Sequence, residues 1–252
     1  MAKQKKRPEK TDLDQLKHLA HMFLELDITP TKFSPVVAKH PFTDSGIVGM
    51  QGKDGELVMA NLLDDPDALR RWRVQYSQLI EEADTPFRIA LMVTKPYQFA
   101  FLKYAASILS EQDLALFLTH AWICTEEPNR NPNLTKRQLL SMFRSIDPQK
   151  LMDADEYQLF CELDEMVTVY RGVTSYNEEN IRALSWTLDQ NTAEWFAGRF
   201  GESGTVYEAQ ISKEHIHAVF LSRGESEVIV DPKHLIDLAP KQGQELGFEM
   251  QL

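Results

Sequence analysis

The chain has 252 residues, 43% hydrophobic and 26% charged, which excludes a disordered or fibrous protein and is enough for one large domain or two modest ones. Its net charge is −11, and Lys3, Lys5, Lys6, Arg7 and Lys10 oppose only Glu9 in the first ten residues, so a +4 tail precedes a body of −15. A body this acidic repels phosphate backbones unless its charge is segregated.

Residues 1–12 read as a basic, solvated, mobile tail, with an arm for nucleic acid or a partner as the alternative. No apolar stretch follows the MAKQKKRPEK start, as a secretory signal would require. No apolar run approaches the length of a bilayer span. Two cysteines, Cys124 and Cys161, offer neither a disulfide framework nor zinc spacing, and both read as small buried hydrophobes. A soluble cytoplasmic protein without membrane partners is expected.

Residues 13–165 predict a mostly helical N-terminal domain. A short hairpin is expected within 45–62, around Lys53-Asp54-Gly55. Asp65-Pro66 is an N-cap followed by proline at the first helical position, and Leu69, Trp72, Tyr76, Leu79 and Ile80 then share a helical face. The apolar stretch 89–108 is broken by Lys95-Pro96 and Lys103 into buried pieces. Ser110 with Asp113, and Thr135 with Gln138, resemble capping boxes ahead of Leu114, Phe117, Leu118, Ala121 and Trp122, and of Leu139, Met142, Phe143 and Ile146. Asp147-Pro148 ends the last of these helices.

Near Glu165 the pattern changes to short strands at 166–170, 184–188, 205–211, 216–221, 227–230, 235–238 and 248–252, with one helix opening at Asn191. Many short strands with one helix predict an α+β unit over 166–252 and not a βαβ unit. Glycine-rich phosphate loops of the dinucleotide or P-loop kind are absent from the sequence.

Three motifs sit on these strands in a fixed order: Val169-Tyr170-Arg171-Gly172, then Leu184-Ser185-Trp186-Thr187, then Glu225-Ser226-Glu227 leading into Val228-Ile229-Val230. Each alone is commonplace. Their conjunction, over about 166–240, resembles the Arg–Ser–Glu class of mono-ADP-ribosyltransferases, which includes clostridial binary-toxin enzymes and vertebrate arginine-specific ecto-enzymes. The resemblance implies a small core of short strands in two packed sheets that binds NAD as a substrate and uses no metal. It implies that Arg171 supports the phosphate and ribose region, that Gly172 holds the nicotinamide carboxamide through its backbone, and that Ser185 opens a Ser-Thr-Ser motif in which Thr187 keeps the third hydroxyl. Trp186 departs from the family pattern. Strand alternation turns it away from Ser185 and Thr187, toward packing on the other face. By the same resemblance Phe196 packs on the nicotinamide ring, Arg199 is a second phosphate arginine or a surface salt bridge, Glu227 is the catalytic glutamate, and Glu225 is its upstream partner that accompanies arginine modification.

The chemistry suits these groups. Breaking the bond between nicotinamide and ribose leaves positive charge on the sugar, which a carboxylate opposes most strongly in the transition state. A planar guanidinium can hold a pyrophosphate where no glycine-rich loop exists. An acceptor guanidinium, protonated below a pKa of about 12.5, needs a carboxylate to orient it and take a proton. Glu225 and Glu227 are two apart, so a regular strand would put both on one face.

Other candidates read as structural. His18 and His21 lack a third metal ligand, His215 and His217 flank a strand start, and His40, His120 and His234 have no motif around them. Arg70, Arg71 and Arg73 read as a solvated helix face. A serine hydrolase is unsupported, because no nucleophile-elbow motif exists.

The leading function is transfer of ADP-ribose to protein arginine, as an intracellular toxin. Alternatives are modification of RNA or DNA by a toxin–antitoxin or anti-phage defence enzyme, NAD hydrolysis, or a non-catalytic binding module. The N-terminal part would position the target, bind an inhibitor or antitoxin protein, or complete the NAD cleft.

Overall fold

The computed structural model describes residues 7–52, 54–201 and 203–241. The fold is α+β and divides into two units, one ending at Thr135 and the other beginning at Lys136. None of the helices among the described residues is long and apolar enough to cross a membrane.

The first unit holds α1 (Leu13–Leu24), β1 (Thr29–Pro30), β2 (Val37–His40), β3 (Thr43–Ser45), β4 (Ile47–Gln51), β5 (Leu57–Asn61), α2 (Pro66–Glu81), α3 (Pro86–Met92), α4 (Gln98–Ala105) and α5 (Glu111–Cys124). Asp12 caps α1 by accepting from the Gln15 amide at 3.0 Å. Leu16, Ala20, Phe23 and Leu24 then face the core at helical spacing. Asp65 caps α2 with Pro66 in its first turn, as expected, and Ala68, Trp72 and Ile80 are buried, but Leu79 is exposed. One residue is 100° of helical turn, and Leu79 falls on the solvent side of the buried Trp72–Ile80 stripe. Lys95-Pro96 separates α3 from α4, and Ser110 caps α5. The expected hairpin is β4 paired with β5, and Lys53 at its tip lies outside the described residues. β1, β2 and β3 form a further small antiparallel sheet.

Two expectations in this unit need correction. Residues 7–12 do not behave as a mobile tail: Arg7 donates to the Ala106 carbonyl at 2.8 Å, Thr11 is buried, and the Asp12 amide donates to Ile108 at 3.2 Å. The remaining residues of the expected tail, 1–6, lie outside the described residues. Nor is Arg73 a solvated side chain. It pairs with Glu25 at 3.3 Å and donates to the Glu25 and Leu26 carbonyls, meeting the C-terminal end of α1, where a cation is favoured. His18 needs no special account, and His21 sits 2.6 Å from Glu81.

The second unit holds α6 (Lys136–Arg144), α7 (Pro148–Leu151), α8 (Ala154–Glu162), β6 (Met166–Val173), β7 (Ser185–Thr187), α9 (Gln190–Ala197), β8 (Thr205–Ser212), β9 (Ile216–Phe220), β10 (Glu227–Val230) and β11 (Ile236–Pro240). The expected strand at 248–252 lies outside the described residues. The change of pattern near Glu165 is not the unit boundary, because α6–α8 pack with the strands. The Met152 sulfur accepts from the Val219 amide at 3.2 Å, Glu156 accepts from the Leu221 amide at 2.8 Å, and Lys213 donates to the Cys161 and Leu163 carbonyls. Cys161 is exposed, not the buried hydrophobe expected, while Cys124 is half-buried.

All strand pairs are antiparallel, in the order β11-β8-β6-β7-β10-β9. Where two packed sheets were expected, hydrogen bonding makes one six-stranded sheet. Its two three-stranded halves meet at a single register pair, Tyr170 opposite Thr187. All four residues of β10 are buried, so both faces of the sheet are covered along this strand. Gly172 explains how α9 lies so close to β6. A Cβ there would come within 2.3 Å of the Ala193 carbonyl oxygen and 2.6 Å of the Ala197 nitrogen.

Candidate functional site

The site forms where the two halves of the sheet part. β6 and β7 separate beyond the Tyr170–Thr187 pair, and the next residue, Arg171, reaches across. Its Nη1 donates to the Ser185 carbonyl at 2.6 Å, a side-chain bond in place of a ladder bond. Thr187 lies opposite Glu227 in the β7–β10 register, with Ser185 opposite Ile229, so all four share one face. Ser185 Oγ donates to Glu227 Oε1. Arg171, Ser185, Thr187, Glu225 and Glu227, drawn from sequence positions far apart, are thus brought together.

Glu227 is buried, and a buried carboxylate is tolerable only with partners. Besides the serine hydroxyl it has Arg223, whose guanidinium lies 3.7 Å from Glu227 Oε2 and 3.3 Å from Glu225 Oε2. Burial pushes the Arg171 pKa down to about 10, an effect opposed by the nearby Glu227 carboxylate, and the group stays cationic at neutral pH. Arg171 Nε is buried without a hydrogen-bond partner among the described residues, an uncommon state for a buried donor.

The segment ahead of β10 is held in an uncommon backbone shape. Gly224 has φ +67° and Ser226 φ +43°, the latter a left-handed conformation that costs energy outside glycine. Bonds from β7 and its continuation keep it there: Thr187 Oγ1 donates to the Glu225 carbonyl at 2.6 Å, and the Leu188 amide donates to the Ser226 carbonyl at 3.0 Å. The alternation of a regular strand therefore stops at Glu227, and the turn, not the pleat, brings Glu225 beside it.

Trp186 points to the other face, buried, with its indole nitrogen donating to the Ala183 carbonyl at 3.1 Å. Phe196 and Arg199 belong to the α9 side of β6. Phe196 Cβ sits against Gly172, its ring meets Trp195 edge-on at 5.0 Å, and the Arg199 guanidinium lies over the Trp195 and Phe196 rings at 5.3 and 5.9 Å. α9 opens one turn-residue earlier than Asn191, because Asp189 accepts from the Asn191 and Thr192 amides.

Two residues of the site were missed in the sequence. Arg223 carries no periodic marker and stands in a charged run that reads as solvated. Lys136 lies far from the motifs in sequence, yet it bonds Asn180 and the Arg182 carbonyl in the β6–β7 connection. Burial, and then the neighbouring Arg171 charge, lower its pKa. Among the described residues no cluster of histidine, cysteine or carboxylate side chains could hold a metal ion.

No family model, curated protein or solved structure matches the chain.

Proposed function

We propose that this chain is an NAD-dependent mono-ADP-ribosyltransferase that transfers ADP-ribose to arginine on a macromolecular acceptor, acting in the cytoplasm as a toxin-like enzyme. The observation that carries the proposal is the hydrogen bond from Ser185 to buried Glu227 on neighbouring strands, with cationic Arg171 bonded to the same serine's carbonyl. Three residues of an ordered motif set meet at one place, with the charges the reaction needs.

Under this proposal Arg171 and Lys136 supply the positive charge that the pyrophosphate of NAD needs. The bond between the nicotinamide nitrogen and the ribose carbon breaks, and its electron pair leaves with neutral nicotinamide. Glu227 opposes the positive charge left on the sugar, held in position by Ser185. Glu225, less buried than Glu227, orients the acceptor guanidinium and takes its proton as the new carbon–nitrogen bond forms.

The test is to supply labelled NAD with agmatine, a small guanidine acceptor, and measure both nicotinamide release and labelled agmatine. Glu225→Gln should lose transfer to agmatine while keeping part of the NAD cleavage. Equal loss of both activities would refute the division of labour between the two carboxylates. With a cell extract as acceptor, the label should be released by protease digestion. Release by nuclease would move the target to nucleic acid.

A further inference from the structure

Arg223 is a guanidinium that already occupies the two carboxylates assigned to the chemistry. It lies 3.3 Å from Glu225 Oε2 and 3.7 Å from Glu227 Oε2. The backbone folds it back there. The Gly224 amide donates to the Leu221 carbonyl at 2.8 Å, closing a turn that the positive φ of Gly224 permits. Both ends of the loop are pinned: Glu156 accepts from the Leu221 amide at 2.8 Å, and Thr187 and Leu188 hold the Glu225 and Ser226 carbonyls. The position of Arg223 therefore follows from the fixed loop. Its side chain is about one-third exposed, at 34%, so solvent reaches it.

We propose that Arg223 is a resident occupant of the acceptor position, a built-in stand-in for the substrate guanidinium that an incoming arginine must displace. This rests on the ADP-ribosyltransferase function proposed above. The chemistry of the occupant matches that of the acceptor: the same planar cation, on the same pair of carboxylates. The strength of the contact suits a displaceable guard. Both contacts are long for charge-assisted bonds, at 3.3 and 3.7 Å, and the one to part-exposed Glu225 shifts an equilibrium by about 1.5- to 5-fold. With the acceptor absent, Arg223 also keeps the two carboxylates from lying together without a counter-charge. The consequence is selectivity. Weak guanidines compete poorly with the internal arginine, and an arginine carried on a protein surface with further contacts outcompetes it.

The experiment compares full-length wild type with Arg223→Ala, Arg223→Gln and Arg223→Lys, using NAD and agmatine at a concentration well below saturation. Free nicotinamide and ADP-ribosyl-agmatine are both measured, with a denaturation midpoint for each variant. Alanine and glutamine at 223 should lower the KM for agmatine, and raise the ratio of transfer to hydrolysis, by about 1.5- to 5-fold. Lysine should fall between them and wild type, since a point charge cannot fork onto two carboxylates. An agmatine KM and ratio that stay fixed or move the other way, in variants that fold and in an enzyme whose wild type modifies agmatine, would overturn the guard while leaving the transferase intact. Absence of nicotinamide release from wild type would sink the transferase function itself, and the guard with it.

Discussion

The two units bury polar groups of different kinds. Among the described residues, the buried polar side chains of the first are neutral: Thr11, His40, Thr43, Gln98 and Ser110. Those of the second include three carboxylates: Glu156, Asp231 and Glu227. The first unit is thus built like an ordinary core, with aromatic contacts such as Trp72 on Tyr76 at 4.7 Å and Phe23 edge-on to Phe101 at 5.1 Å. In the second, charge is buried at a cost that must be repaid by partners. Two of its carboxylates hold the architecture. Glu156 completes a capping box with Asp153 and takes the Leu221 amide, and Asp231 caps the turn at Lys233 and pairs with Arg144. Glu227 accepts from the Ser185 hydroxyl and lies beside the Arg223 guanidinium, where the two halves of the sheet part. A buried charge placed on side chains at a parting of the sheet is where function should be sought.

The largest effect that would sharpen this contrast is at the floor of the site. Gly172→Ala should cost about 3 kcal/mol, because its Cβ would meet α9 backbone and not a flexible side chain. A denaturant midpoint close to wild type would show that α9 is free to shift. Next come two arginines that compare the units directly. Arg144→Met leaves Asp231, 1% exposed, without its cation and should cost about 2 to 3 kcal/mol. Arg73→Met removes bonds to an exposed glutamate and two carbonyls, and should cost about 1 kcal/mol. Equal losses would erase the distinction between the units.

A pH titration gives a smaller, shared effect. Burial lowers His40 in the first unit to a pKa of about 4, and lowers His217 in the second to about 4 with help from Arg144 and His215. Between about pH 6.5 and 4 the unfolded chain binds more protons at these positions than the folded one, so stability must fall as pH falls through that window. Each histidine should contribute about 1 to 2 kcal/mol after allowance for solvent. His217 Nε2 has no hydrogen-bond partner among the described residues, so His217→Phe should flatten the slope without loss of stability at pH 7.5. An unchanged slope would show that His217 takes up no proton on unfolding. The smallest change expected is in the stability of Glu227→Gln, within about 0.5 kcal/mol of wild type, because the amide keeps the shape and a hydrogen-bonding oxygen.

Much of this was legible in local pattern. β10 begins and ends at Glu227 and Val230 as its apolar run predicts, and Asp65-Pro66 and Ser110 mark the helices they cap. Arg171, Ser185 and Glu227 could be named because their three short motifs follow one another on predicted strands in the order that the Arg–Ser–Glu resemblance implies. What was not legible depends on long-range contact. The attachment of α6–α8 to β9 runs through Met152, Glu156 and Lys213, whose partners are distant in sequence. The short strands β1, β2 and β3 lack enough residues for alternation to show. Arg223 was hidden for a third reason: a turn with two positive φ angles brings it onto the carboxylates, and period-two geometry does not describe turns.

The most direct measurement is nicotinamide release from NAD by wild type and by Glu227→Gln, with the denaturation midpoint of each recorded in the same buffer. The account predicts release by wild type, a loss of about a hundredfold or more in the variant, and matching midpoints. Nicotinamide release that persists unchanged in a folded Glu227→Gln would contradict it.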